Sequence, residues 1–218
     1  MSAFVEREIK AYEAIQTRVS GRVIRESGLA LFCAPGVMPP TNRVTRCFAS
    51  VVGSLEASSV LDLGCGCGIL ALIASRYARQ VIGVDIDPRA VACARVNATL
   101  NGAENVRFLL GDAYAPLGGQ RFDLIVSNPP FYPARGVARP PASMCIDGDG
   151  ALLYSLIKGA HQHLSPRGRA LFVTSSLSDN DRVKALLQDC ALDFRCRLLH
   201  SGGETSQDIY LWKVEWPR

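Results

Sequence analysis

One stretch constrains this chain more than any other: Val60-Leu61-Asp62-Leu63-Gly64-Cys65-Gly66-Cys67-Gly68. A short apolar run with strand character leads into three alternating glycines, and an apolar helical run begins at Ile69. Glycine at every second position lets the backbone turn tightly and approach a ligand with no side chain between them. A strand that enters such a turn and leaves it as a helix is a unit of a parallel sheet covered on both faces, and its turn is a seat for a nucleotide. The dinucleotide fingerprint G-x-G-x-x-G is not met, because Ile69 stands where its third glycine would fall; this disfavours NAD.

The same alternation continues down the chain. Strands are expected at 60–63, 81–84, 106–110, 122–127 and 169–174, with helices at 69–78, 88–100, 151–164 and 179–190. Runs 194–200 and 208–215 flank Ser201-Gly202-Gly203-Glu204-Thr205 and should pair as a hairpin on the sheet edge. The expected fold is therefore α/β, a doubly wound, mostly parallel seven-stranded sheet with an antiparallel C-terminal hairpin. Ahead of it, 3–19 reads as an amphipathic helix and 21–32 as a hairpin turning at Ser27-Gly28. After the proline-rich run 35–40, Thr41 can cap a helix through Phe48 to Leu55. Residues 1–55 are taken as a collar or lid and 56–218 as the nucleotide-binding core.

The ends of successive strands then supply chemistry. Asp85 closes the second core strand, 21 residues after Gly64, where a carboxylate can accept from both hydroxyls of a ribose. Asp112, in Gly111-Asp112-Ala113, closes the third beside an adenine site. The fourth ends in Ser127-Asn128-Pro129-Pro130-Phe131. Two prolines fix the backbone there, so the Pro129 carbonyl is held outward beside the Asn128 side-chain carbonyl. Two converging acceptors suit an –NH2 donor, and the ring of Phe131 can stack on the flat group bearing it.

Composition narrows the class of protein. Hydrophobic residues make up 48% and charged residues 20% of 218, which is a folding rather than a disordered composition. The longest charge-free run, 27–42, has 16 residues broken by three prolines, and the apolar run 63–75 has 13, both too few for a membrane-spanning helix of ~20. The N-terminus has no apolar signal core, so a cytoplasmic protein is expected. Eight cysteines include no C-x-x-C pair and read as reduced, buried thiols, and no metal site is expected. The net charge of +4 is dispersed, though Arg135, Arg139 and Arg167 lie near the motif loops and would suit a phosphate-bearing substrate.

Taken together, DLGCGCG, the acid in VIGVDIDP, GDA and SNPPF resemble the class I S-adenosylmethionine-dependent methyltransferases of the Asn-Pro-Pro-aromatic branch. That branch includes release-factor glutamine methyltransferases and amino-methyltransferases of RNA and DNA bases. The resemblance spans about residues 36–216, with Asp147-Gly148-Asp149-Gly150 similar to an acidic loop of the glutamine enzymes. It implies S-adenosylmethionine as cofactor, its methionine part cradled by Asp62, Gly64, Cys65, Gly66 and Gly68. It implies Asp85 with Ile86 at the ribose, Asp112 and Ala113 at the adenine, and Asn128, Pro129 and Phe131 facing the methyl acceptor. The chain departs from the glutamine enzymes at Pro39-Pro40-Thr41-Asn42-Arg43, which carries no acid, and in the few residues ahead of the core. Both departures argue for a compact acceptor under a lid rather than a large protein.

The reading that follows is methyl transfer to a planar or primary nitrogen, in a glutamine amide, a nucleobase or a small molecule. A rival of the same fold is a cyclase: the donor's own α-amine attacks its γ-carbon, giving azetidine-2-carboxylate and methylthioadenosine. A non-catalytic binding subunit is disfavoured by the intact Asn128 motif. No catalytic histidine is required, and the acceptor and the oligomeric state stay open at this stage.

Overall fold

A computed structural model describes residues 10, 14–15, 17–130, 150–203 and 207–217. Phe131, Arg135, Arg139 and Asp147 to Asp149 lie outside the described residues, as does most of the segment expected to form the first helix.

Two strands, β1 (Arg22–Glu26) and β2 (Leu29–Cys33), make an antiparallel hairpin that turns at Ser27-Gly28, both residues at positive φ. Helix α1 follows at Arg43–Gly53. Its cap is Asn42, not Thr41: the Asn42 Oδ1 accepts the Thr45 N–H at 2.7 Å. Two good capping residues stand side by side here, and the one whose oxygen reaches the third helical N–H wins.

The core runs β3 (Ser59–Leu63), α2 (Ile69–Ala74), β4 (Gln80–Asp85), α3 (Pro88–Leu100), β5 (Val106–Leu110) and β6 (Phe122–Ser127). It continues through α4 (Ala151–His163), β7 (Leu164–Ser175), α5 (Asn180–Asp189), β8 (Asp193–His200) and β9 (Ile209–Glu215). Strand order across the seven-stranded sheet is β5-β4-β3-β6-β7-β9-β8, with β9 antiparallel to both neighbours. The fold class is the one expected. Two boundaries differ from expectation. Helix α2 stops at Ala74, where the Ser75 hydroxyl donates back to the Leu72 carbonyl and a turn returns the chain to the sheet. Strand β7 starts at Leu164, so Ser165-Pro166-Arg167-Gly168 crosses an irregularity inside a strand and is not a loop before it. Gly168 is required there, since a Cβ would sit 2.6 Å from the Phe122 carbonyl oxygen.

Helices cover both faces. One face buries Phe48 of α1, Leu70 and Leu72 of α2, and Val91 of α3 against Val60, Val81 and Val173. The other buries Leu156 and Ile157 of α4 and Leu187 of α5 against Leu61, Ile125, Phe172 and Trp212. Each such large apolar side chain contributes roughly 1.5–3 kcal/mol through burial. The hairpin belongs to the first of these cores, with Leu29 and Leu31 packed into it. It is pinned to α3 by two amides: Asn97 exchanges hydrogen bonds with the backbone of Phe32, and Asn101 with that of Ala30.

Candidate functional site

The sheet reverses its winding between β3 and β6: β4 and β5 build outward on one side, β7 on the other. A crevice opens at the carboxyl ends of strands at such a switch point. Here it is a cavity of about 300 Å³, at the lower end of the range for small-ligand sites.

The glycine turn forms one wall. Gly64, Gly66 and Gly68 all have positive φ, at 74°, 55° and 85°. The Gly64 and Cys65 N–H groups are spent on the Val84 carbonyl, which ties the turn to β4. Gly64, Cys65 and Gly66 line the cavity. Gly68 does not; it is the left-handed cap of α2, and a Cβ on it would lie 2.9 Å from Phe108 and 3.0 Å from Ala94. Packing explains that glycine, and ligand approach does not.

Asp62 sits at the cavity with 1% of its surface exposed. One carboxylate oxygen accepts the Ala71 N–H at 3.0 Å, while Oδ1 is buried without a hydrogen-bond partner among the described residues. Burial pushes its pKa up to about 7; the Ala71 N–H opposes this and the charge of Asp85 adds to it. A buried oxygen of this kind is costly unless a donor arrives. A ligand ammonium would satisfy it. Asp85 lines the cavity next to it and accepts from the Gly66 N–H at 2.8 Å and the Asp87 N–H at 2.9 Å, one on each oxygen. Each oxygen therefore keeps a lone pair for a ligand hydroxyl. Burial raises the Asp85 pKa as well. Ile86, 66% exposed, presents an apolar face to the same space, and Asp112 with Ala113 closes its far side. Ala113 holds φ at 45°, a left-handed conformation that non-glycine residues rarely adopt and that Ser27 and Ala191 share among the described residues.

The opposite wall carries the Asn-Pro-Pro motif. Asn128 and Pro129 both line the cavity. The Asn128 amide nitrogen donates to the Thr45 hydroxyl at 3.3 Å, and its Oδ1 is buried without a partner among the described residues. Thr45, 4% exposed on the first turn of α1, was not legible as a site residue in the sequence; nor were Met38 and Pro40, which complete this wall. No spacing rule links them to Asn128, because 83 residues separate Thr45 from it. The histidines stay out of the site: His163 is buried, bonded to the Gln120 carbonyl and stacked on Tyr114, and His200 is on the sheet edge. Among the described residues there is no cluster of His, Cys, Asp or Glu able to hold a metal, and no helix is long and apolar enough to cross a membrane.

These residues fit S-adenosylmethionine: an orphaned carboxylate oxygen for its ammonium, a second carboxylate with free lone pairs for its ribose, and a glycine cradle between them. Residues 31–193 match the family model for the methyltransferase small domain. A release factor glutamine methyltransferase of Geobacter sulfurreducens is 39% identical over 125 residues, covering 52% of this chain and 44% of that protein. A tRNA1(Val) (adenine(37)-N6)-methyltransferase of Porphyromonas gingivalis is 38% identical over 135 residues, covering 58% and 51%. The chain thus matches about half the length of these two relatives. Among solved structures, a 16S rRNA N2 methyltransferase from T. thermophilus in complex with AdoMet and guanosine superposes with a TM-score of 0.67. It is 22% identical and covers 89% of this chain and 50% of that one. The chain belongs to the methyltransferase small domain family, whose members are S-adenosylmethionine-dependent methyltransferases.

Proposed function

We propose that this chain transfers the methyl group of S-adenosylmethionine to an amino or amide nitrogen held by Asn128 and Pro129. The observation that carries the reading is the buried, unpartnered Oδ1 of Asn128 at the cavity wall, with its amide nitrogen already engaged by Thr45. That hydrogen bond fixes which end of the carboxamide faces inward, and the inward end is an acceptor. An –NH2 group donating to this oxygen and to the Pro129 carbonyl has both hydrogens held, so its lone pair points away from the two oxygens. The bound donor supplies an already activated methyl group. What is asked of the protein is alignment and charge complementarity rather than a strong base. Asp62 places a carboxylate where the donor's ammonium is expected, and Asp85 one where its ribose is expected. Glutamine amide, adenine and guanine nitrogens in the named relatives have the same donor geometry, and all remain within the proposal.

Two further parts of the reading are proposals of the same standing. Residues 1–55 serve as a collar of the acceptor side, supported by Gly36, Val37, Met38 and Pro40 at the cavity wall. A cytoplasmic location is supported by the free thiols Cys33, Cys65, Cys67 and Cys93, all buried. No observation favours the cyclase, and the test below separates it.

The test is to incubate the pure protein with S-adenosylmethionine alone, then with glutamine peptides or with unmodified RNA, and to identify the nucleoside released. S-adenosylhomocysteine that forms only when an acceptor is present is the expected result, with Asn128→Ala reducing it ~100-fold or more. Methylthioadenosine released with no acceptor would overturn the proposal in favour of the cyclase.

A further inference from the structure

The sheet edge beside the acceptor wall carries a charge pattern that the site does not use. Strand β8 is antiparallel to β9, which is antiparallel to β7, so β8 runs in the same direction as the parallel core. Its carboxyl end, His200, therefore reaches the same rim as the ends of β3 and β6 that frame the cavity. Register places Arg195 opposite Lys213, Arg197 opposite Leu211 and His200 opposite Ile209. Leu211 and Ile209 belong to the core beneath α1, so these three pairs share the face on which α1 lies. Arg195 and Arg197 are exposed. The Arg43 guanidinium at the start of α1 reaches across to His200, Nη1 to Nε2 at 3.0 Å. Its neighbour Asn42 lines the cavity.

The result is a basic track along one strand, from Arg195 through Arg197 to the His200 and Arg43 pair, ending at the acceptor wall. Five residue-to-residue steps at ~3.3 Å each make it roughly 16 Å long. The acids along it are Asp193 and Glu215 at the far end, Glu215 paired with Lys213 at 2.8 Å, and Asp208 at the near end, whose carboxylate accepts from the Ser201 hydroxyl and the Gly202 N–H. Two exposed arginines of this chain pair with carboxylates, Arg46 with Glu26 and Arg89 with Asp87. Arg43 instead meets an imidazole, which cannot neutralise it. Three arginines in line, none in a salt bridge among the described residues and leading to a pocket for a planar –NH2 group, are complementary to a strand of phosphates with a base at its end.

We propose that this face of β8 docks a single-stranded RNA backbone and delivers one of its bases to the cavity. The inference rests on the methyltransferase reading for the identity of the delivered group, while the docking itself needs no turnover. RNA is chosen over other polyanions because the related tRNA and rRNA methyltransferases act on it.

The experiment measures binding of a fluorescein-labelled single-stranded RNA of mixed sequence as a function of salt. Wild type is compared with Arg195→Ala/Arg197→Ala and with the charge-keeping Arg195→Lys/Arg197→Lys. Each phosphate contact contributes about 0.7 to the slope of log affinity against log salt on single strands, so the alanine pair should lower the slope by about 1.4. Affinity at moderate salt should fall roughly tenfold, and the lysine pair should keep most of both. S-adenosylhomocysteine affinity, measured in parallel, should be equal in all three proteins and reports that the fold and the donor site are intact. Equal RNA affinity and slope in wild type and the alanine pair would overturn the docking proposal. So would polyglutamate or single-stranded DNA competing as well as RNA. Loss of donor binding in the wild type would sink the methyltransferase reading and leave the docking result standing on its own.

Discussion

Asp62 ties the electrostatics of the site to what the site binds, and Asp62→Asn tests that link. In the unfolded chain its carboxyl loses a proton near pH 4; in the fold, burial holds the proton to about pH 7. A raised folded pKa means that the fold prefers the protonated form. The contribution is fully present below the unfolded value and is lost as pH rises through the folded one. Integrating that difference between about pH 5.5 and about pH 8.5 removes about 2 kcal/mol of stability, a drop of roughly 4–8 °C in Tm for a chain of this size. Asparagine keeps an oxygen for the Ala71 N–H and has no proton to lose. The variant should therefore show a flatter pH dependence, while Asp85, whose pKa is raised in the same direction, still titrates in both proteins. A ligand ammonium reverses the sign, because it needs the carboxylate. S-adenosylhomocysteine should bind wild type more tightly as pH rises through about 7 and should recover the lost stability, but do neither in the variant. Thermal unfolding at the two pH values, with and without that ligand, reads both effects. Parallel stability curves for wild type and Asp62→Asn would refute the reasoning.

Two other substitutions probe the acceptor wall and its anchorage. Thr45→Val keeps the side-chain volume and removes the acceptor for the Asn128 amide, so kcat should fall roughly tenfold with donor affinity unchanged, and Thr45→Ser should restore it; unchanged kcat in the valine variant would deny Thr45 a positioning role. Asn97 is fully buried and bonds the Phe32 N–H at 2.6 Å, the Phe32 carbonyl at 3.1 Å and the Cys67 carbonyl at 2.9 Å. Asn97→Ala should cost about 2–4 kcal/mol in urea unfolding by stranding those groups, and a loss below ~1 kcal/mol would show that they find other partners.

What could be read from the sequence was whatever local rules govern. The apolar runs placed β3, β4, β5 and β6 to within a residue or so; residue type at the strand ends picked out Asp85, Asp112 and Asn128, and the family resemblance added Asp62, all of which the fold gathers around one cavity. Gly68 was grouped with the cradle because spacing cannot tell a glycine that admits a ligand from one that admits Phe108. The start of β7 was missed for a related reason: Pro166 and Gly168 signal a turn, and only the partner strand shows that they sit at an irregularity in the pairing. Thr45 and Met38 were out of reach, since their place in the site depends on how α1 and the loop before it pack across the end of the sheet.

The two arms of the Asn97 carboxamide have a practical meaning for anyone wishing to change the substrate. One side of the amide holds the hairpin whose downstream loop, through Gly36, Met38 and Pro40, walls the Asn128 side of the cavity; the other holds the Cys67 carbonyl in the glycine turn. The wall is thus not a free flap that can be exchanged at its ends. It is a cassette with a fixed socket, running from Leu29 to Asn42, and a transplant that brings a new acceptor loop must arrive with a β2 backbone that still plugs into Asn97 and Asn101.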